Sequence, residues 1–92
     1  MEEYLSEYTR LIYVRKGGDL KVSVRELKRY IKILTVFNGN SAVHCFIDKN
    51  TGDVYKPVSF VRPCKSSKYN ILEAESRECL FKECEYSGKY LR

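Results

Sequence analysis

Apolar and polar positions alternate most clearly between Ser41 and Phe60. Val43, Cys45 and Ile47 are interleaved with His44 and Phe46, and the run Val54-Tyr55-Lys56-Pro57-Val58 has strand composition, so both segments read as β-strands. The intervening Asp48-Lys49-Asn50-Thr51-Gly52-Asp53 offers Asp and Asn to open a turn and Gly to close it at positive φ. A hairpin is therefore predicted from Ser41–Ile47 and Asp53–Phe60. Pro57 has no N–H to donate, which places its strand at an edge or ends it there.

Upstream, Arg29–Phe37 is rich in β-branched and aromatic residues and runs into Asn38-Gly39-Asn40, a tight-turn signal, which extends the hairpin to a three-stranded meander. A helical pattern competes with it. Leu20, Val24, Leu27, Ile31 and Leu34 recur at helical spacing, and Ser23-Val24-Arg25-Glu26 matches a capping box. The combined reading is a short helical or irregular stretch over Ser23–Lys28 that passes into a strand by Tyr30. Thr9–Arg15 and Leu20–Arg25 flank Lys16-Gly17-Gly18-Asp19 as a hairpin would, whereas Glu2–Val14 has the first-turn acids and the Leu5, Tyr8, Leu11, Ile12 stripe of an amphipathic helix. Pattern alone leaves residues 2–14 and 20–28 open between helix and strand.

Val61–Asn70 is polar, basic and without periodicity, as a loop would be. Ile71–Tyr86 reads as a helix with Leu72, Ser76, Cys79, Leu80 and Cys84 inward; Ser87-Gly88 stops it, and Lys89–Arg92 is long enough only for a last edge pairing. The predicted architecture is a single α+β domain over residues 1–92: an antiparallel β-meander of three to five strands with a C-terminal helix packed on one face. Ninety-two residues suit one hydrophobic core and not two.

Charge adds a direction to this picture. The net charge is +5, with 17 Lys and Arg against 12 Asp and Glu. Residues 10–68 hold thirteen of the bases and four of the acids, so the basic character sits in the middle of the chain and favours an anionic partner. No apolar run approaches the roughly 20 residues that a membrane helix needs, and the acidic start Met1-Glu2-Glu3 is unlike an export signal. The expectation is a cytoplasmic protein with no membrane partner, whose four cysteines are reduced and serve mainly in packing.

The chemistry-bearing residues carry little on their own. Cys79 and Cys84 lie too far apart on a predicted helix for the close pairs that structural zinc uses. His44 is the only histidine and adjoins Cys45, but neighbours on a strand point to opposite faces, so the expectation is a half-exposed strand residue. Asp48 and Asp53 are the acids that turn ends favour, and Gly17-Gly18 lacks phosphate-loop spacing. No catalytic residue, metal ligand or cofactor is assigned. The feature that remains is the basic set Lys28, Arg29, Lys32, Lys56, Arg62, Lys65 and Lys68. If the Tyr30 strand lies beside the Ser41 strand, these cations share one side of the sheet with Tyr55 and Tyr69, supplying charge for phosphates and rings for bases.

Ser41-Ala42-Val43-His44-Cys45-Phe46-Ile47-Asp48, continuing through Thr51-Gly52-Asp53-Val54-Tyr55-Lys56-Pro57, Ser59, Pro63, Lys65 and Asn70-Ile71, resembles a stretch shared by small uncharacterised bacteriophage proteins. Tyr90-Leu91-Arg92 is similar to the end they often carry. The resemblance covers about half the chain; Phe60 stands where a Trp is usual and no Gly precedes Asn70. It implies viral origin and lends no catalytic residue. Taken together, the expectation is a non-enzymatic viral binding module whose basic face engages nucleic acid or an acidic host protein. The alternative is a protein-interaction inhibitor of a host defence system. A free sheet edge would allow a homodimer.

Overall fold

The computed structural model describes residues 1–91. Helix α1 (Glu2–Lys16) is followed by five strands, β1 (Lys21–Glu26), β2 (Tyr30–Phe37), β3 (Asn40–Asp48), β4 (Asp53–Pro57) and β5 (Pro63–Asn70). Helix α2 (Ala74–Glu83) and a 3₁₀ turn, Lys89–Leu91, complete the chain. The strands form one antiparallel sheet in the order β1-β2-β3-β4-β5, so the predicted meander is present with all five strands.

The amphipathic reading of the N-terminus prevails over the hairpin. Glu2 and Glu3 occupy the first turn of α1 and Arg15 and Lys16 the last, each where the helix dipole favours its charge. Tyr8 and Ile12, one helical turn apart, are its buried residues. Gly17 ends the helix at φ 70°, its N–H donating to the Tyr13 carbonyl at 2.9 Å.

Four further expectations are corrected. Ser23–Lys28 contains no helix: Lys21–Glu26 is strand β1, paired residue for residue with Val36–Ile31. A capping box needs a free helix start, and here the ladder of β2 takes up the backbone groups instead. Val61–Asn70 is largely strand β5 and not a loop; as an edge strand exposed over Lys65–Lys68 it never shows an apolar alternation. The C-terminal helix is shorter than Ile71–Tyr86. Leu72 and Cys79 are exposed, and its inward residues are Leu80 and Phe81, with Cys84 at its end. Nor does the tail pair with an edge: Lys89–Leu91 is a 3₁₀ turn that buries Tyr90 and Leu91, and Arg92 lies outside the described residues.

Pro57 ends β4, as its missing N–H requires, but β4 is an inner strand. The edges are β1 and β5. Both helices pack on the same sheet face. The core lies between them and the sheet, built from Tyr8, Ile12, Leu20, Ile31, Ile33, Cys45, Ile47, Val54, Tyr69, Ile71, Leu80, Cys84, Tyr90 and Leu91. Among the described residues no helix covers the other face.

The Asp48–Asp53 turn is tied to the start of α2 by one side chain. Asn70 Oδ1 accepts from the backbone of Leu72 (2.8 Å) and Glu73 (3.1 Å), while its Nδ2 donates to the Thr51 carbonyl (2.9 Å) and Asp53 Oδ1 (3.0 Å). Asp48 Oδ1 accepts from the N–H groups of Asn50 and Thr51. Gly52, at φ 82°, leaves no room for a side chain: a Cβ would lie 2.6 Å from Leu72 Cγ. Asp48, Thr51, Gly52, Asp53, Asn70 and Ile71 each serve this turn, Ile71 by donating its N–H to the Gly52 carbonyl at 2.8 Å.

Candidate functional site

The sheet face without helices is where charge and aromatic surface meet. Residues directly opposite in antiparallel strands share a face. Arg25, Lys32, Phe46 and Tyr55 are in register across β1, β2, β3 and β4, and therefore form a row across it. Tyr30 adds a second ring, edge-on to Phe46 (centroids 5.9 Å apart) and to Tyr55 (6.2 Å). Phe46 is completely buried although no helix covers it, because its neighbours on this face close over it.

Lys32 is the unusual member. It is only 6% exposed, with its ammonium 4.0 Å from the Phe60 ring centroid and 5.8 Å from that of Phe46. Among the described residues no carboxylate lies within salt-bridge distance of it. Its cross-strand neighbour is another cation, Arg25. Like charges directly opposite each other destabilise a sheet, and a nearly buried ammonium without a counter-ion adds a desolvation cost that the ring faces only partly offset. At the end of the row Arg29 stacks on Tyr30 (5.2 Å) and pairs with Asp48 at 3.4 Å.

The predicted basic set is divided by the fold. Arg29 and Lys32 lie with Tyr55 on the uncovered face, and Lys28 is exposed beside Arg29 in the β1–β2 turn. Arg62 is exposed at the β4–β5 tip and Lys65 on the β5 edge. Lys56 and Tyr69 belong to the helix side, contrary to the expected common face. Lys56 lines a cavity of about 240 Å³ with Thr35, His44, Tyr86 and Gly88. Tyr69 is a core residue whose hydroxyl donates to Glu83 at 3.0 Å, and burial raises its phenol to about 12. Lys68 is the extra residue of an irregularity in β5 and lines a groove with Glu73, Glu75 and Glu83 of the helical side. The reason is parity: a one-residue register shift turns a side chain to the other face. Arg25, Tyr30 and Phe46 were missed for the same reason, and Phe60 because it lies in the β4–β5 tip, outside any strand. Arg25 alternates visibly with Val24 and Glu26, but nothing local says that Lys32 lies opposite.

A bulge also moves His44. Ile33 pairs with Cys45 and Leu34 with Val43, which leaves His44 as the unpaired extra residue of β3. It is buried at 5% exposure, not half exposed, and it does not point away from the surroundings of Cys45. His44 Nε2 is 2.5 Å from the Tyr90 hydroxyl, that hydroxyl 2.5 Å from the hydroxyl of Tyr8, and the Tyr8 hydroxyl 3.6 Å from Cys45 Sγ. Burial depresses the imidazole to about 4, partly offset by the Tyr86 carbonyl and Glu85, and raises the Cys45 thiol to about 12. Burial likewise raises both phenols. A carbonyl beside the ring favours its N–H on that side, so Nε2 accepts from Tyr90, Tyr90 from Tyr8, and Tyr8 from the Cys45 thiol. This chain of neutral groups pins the C-terminal turn to the sheet.

The thiols are all free, but packing accounts for only Cys45 and Cys84; Cys79 is exposed and Cys64 partly so. Among the described residues no group of three or more His, Cys, Asp or Glu is placed to hold a metal ion. No helix among them is long and apolar enough to cross a membrane.

The chain belongs to DUF7717, a family of unknown function whose model matches residues 3–92. No curated protein and no solved structure matches it.

Proposed function

We propose that this DUF7717 member is a small, virus-encoded, non-enzymatic binding module whose uncovered sheet face engages nucleic acid. The observation that carries the reading is the Arg25–Lys32 pair: two cations placed opposite each other, with no carboxylate among the described residues within salt-bridge distance, beside Tyr30 and Tyr55. An arrangement that costs stability in the free protein is relieved by a bound anion, and flanking rings suit an anion that carries bases. The non-enzymatic part rests on His44 and Cys45, whose side chains are committed to the buried chain of hydrogen bonds. Viral origin rests on the resemblance of residues 41–71 to phage proteins.

The test is fluorescence anisotropy of labelled DNA and RNA at 50 and 200 mM salt. With about three to four phosphate contacts on a single strand, affinity should fall roughly 20–50-fold between those concentrations. Arg25→Ala and Arg62→Ala should each weaken binding across all sequences and flatten the salt dependence. Lys89→Ala, on the helical side, should change neither. Absence of binding at 50 mM would overturn the reading. The tip residues Val58, Phe60 and Val61, all large, apolar and exposed, favour a second one in that event: an inhibitor that inserts this tip into a groove of a host defence protein.

A further inference from the structure

The β4–β5 tip, Val58–Arg62, lies over the cationic row and is built differently from the rest of the sheet. At its base Pro57 pairs with Pro63. Neither proline has an N–H, so this is a pair that exchanges no bonds of its own, and its rung is closed by the flanking residues. The Arg62 carbonyl accepts from the N–H groups of Val58 (2.9 Å), which is the ladder bond of this pair, and of Ser59 (3.2 Å), and Ser59 Oγ accepts from that of Val61 (3.3 Å). These bonds hold the tip in place at the end of the β4–β5 ladder.

Phe60 is the part of this tip that meets the face. One side of its ring covers the Lys32 ammonium, yet the residue is 54% exposed, so much of its surface is open to water. Val58 and Val61 are more exposed still. Tyr30 and Tyr55 are partly accessible beside the row, whereas Phe46 is sealed beneath them.

We infer that the tip is an aromatic clamp that selects single-stranded nucleic acid, with Phe60 stacking on an unpaired base while the exposed Arg25 and Arg62 hold the adjoining phosphates. This rests on the nucleic-acid reading above and deepens it. The clamp excludes duplex, because stacked and paired bases offer no free face to Phe60, whereas the splayed bases of a single strand do. It also gives the exposed apolar tip a partner. Bases cover Val58 and Val61 as they cover Phe60.

The chain contains no tryptophan, so Phe60→Trp introduces a single reporter. Its fluorescence should be quenched by a 12-nucleotide single strand and unaffected by an abasic phosphodiester strand of equal length. In anisotropy, the single strand should bind more tightly than the same sequence as duplex and than the abasic strand. Phe60→Ala should lower single-strand affinity by about 5- to 150-fold, the range for loss of one stacked base, and leave the salt dependence unchanged. Because Phe60 is largely exposed, unchanged thermal melting of both variants establishes that the fold is kept. If duplex and abasic strands bind as well as the single strand and Phe60→Ala changes nothing, the clamp is refuted while the nucleic-acid module stands. If none of the three strands binds at 50 mM salt, the module itself falls, and the clamp with it.

Discussion

Protonation of His44 should undermine the fold from within. The imidazole is held at about 4 by burial, against an ordinary value of 6.5. Between these values the unfolded chain takes up a proton that the folded protein refuses, so stability is complete above pH 6.5 and is lost as pH falls toward 4. From pH 6.5 to pH 5 the loss is about 2 kcal/mol, at about 1.36 kcal/mol for each pH unit, and near pH 4 it approaches 3. For a domain of this size about 2 kcal/mol lowers the melting temperature by roughly 8–16 °C. The carboxylates of Glu7, Glu26 and Asp48 are held below their ordinary values by hydrogen bonds from Arg10, from Lys49 and from the Asn50 and Thr51 backbone, respectively. Their contribution is present above about pH 4.5 and lost below it, so little of it falls in the His44 window. Thermal melts followed by circular dichroism at pH 7.5, 6 and 5 would read the effect. His44→Gln supplies an amide that can accept from Tyr90 and cannot titrate, and its melting temperature should be nearly flat from pH 7.5 to 5. An equal pH dependence in both proteins, or a wild-type loss below about 0.5 kcal/mol at pH 5, would refute a buried neutral histidine.

Other outcomes follow from the same geometry. Lys32→Met removes an uncompensated cation opposite Arg25 and keeps the packing against Phe46 and Phe60, so melting temperature should hold or rise while binding to nucleic acid weakens; destabilisation beyond about 1 kcal/mol would show that Lys32 is a structural residue. Gly52→Ala combines a positive-φ penalty with a clash against Leu72 and should cost about 2–4 kcal/mol in chemical denaturation. Asn70→Ala leaves the turn and the start of α2 without their shared partner and should cost about 2–3 kcal/mol, with amide exchange quickening at Leu72 and Glu73. Alkylation followed by mass spectrometry should modify Cys64 and Cys79 in the folded protein and Cys45 only on unfolding. Backbone N–H groups near Ser66 hold the Cys64 thiol below its ordinary value, whereas burial holds Cys45 above it.

Much of the architecture was legible along the chain. Alternation at Val43, Cys45 and Ile47, the Asn38-Gly39 turn and the Asp48–Asp53 turn are local signals, and they specify the β2–β3–β4 meander. Two ambiguities needed tertiary contacts. Lys21–Glu26 fits helix and strand equally well in isolation, and becomes a strand because β2 offers it six consecutive partners. Pro63–Asn70 hides its strand character because an edge strand with one solvated side needs few apolar residues.

The candidate site shows the same division more sharply. Composition and charge along the chain determined that it is basic, with its cations concentrated in residues 10–68, because those properties are sums over residues and need no coordinates. Which cations act together was decided only by register. Arg25 and Lys32 meet through a ladder between distant segments, Lys56 and Tyr69 are turned to the helical side, and His44 is redirected inward by a single extra residue in β3. Each outcome depends on side-chain parity, which changes with a one-residue shift in pairing and leaves no trace in local sequence.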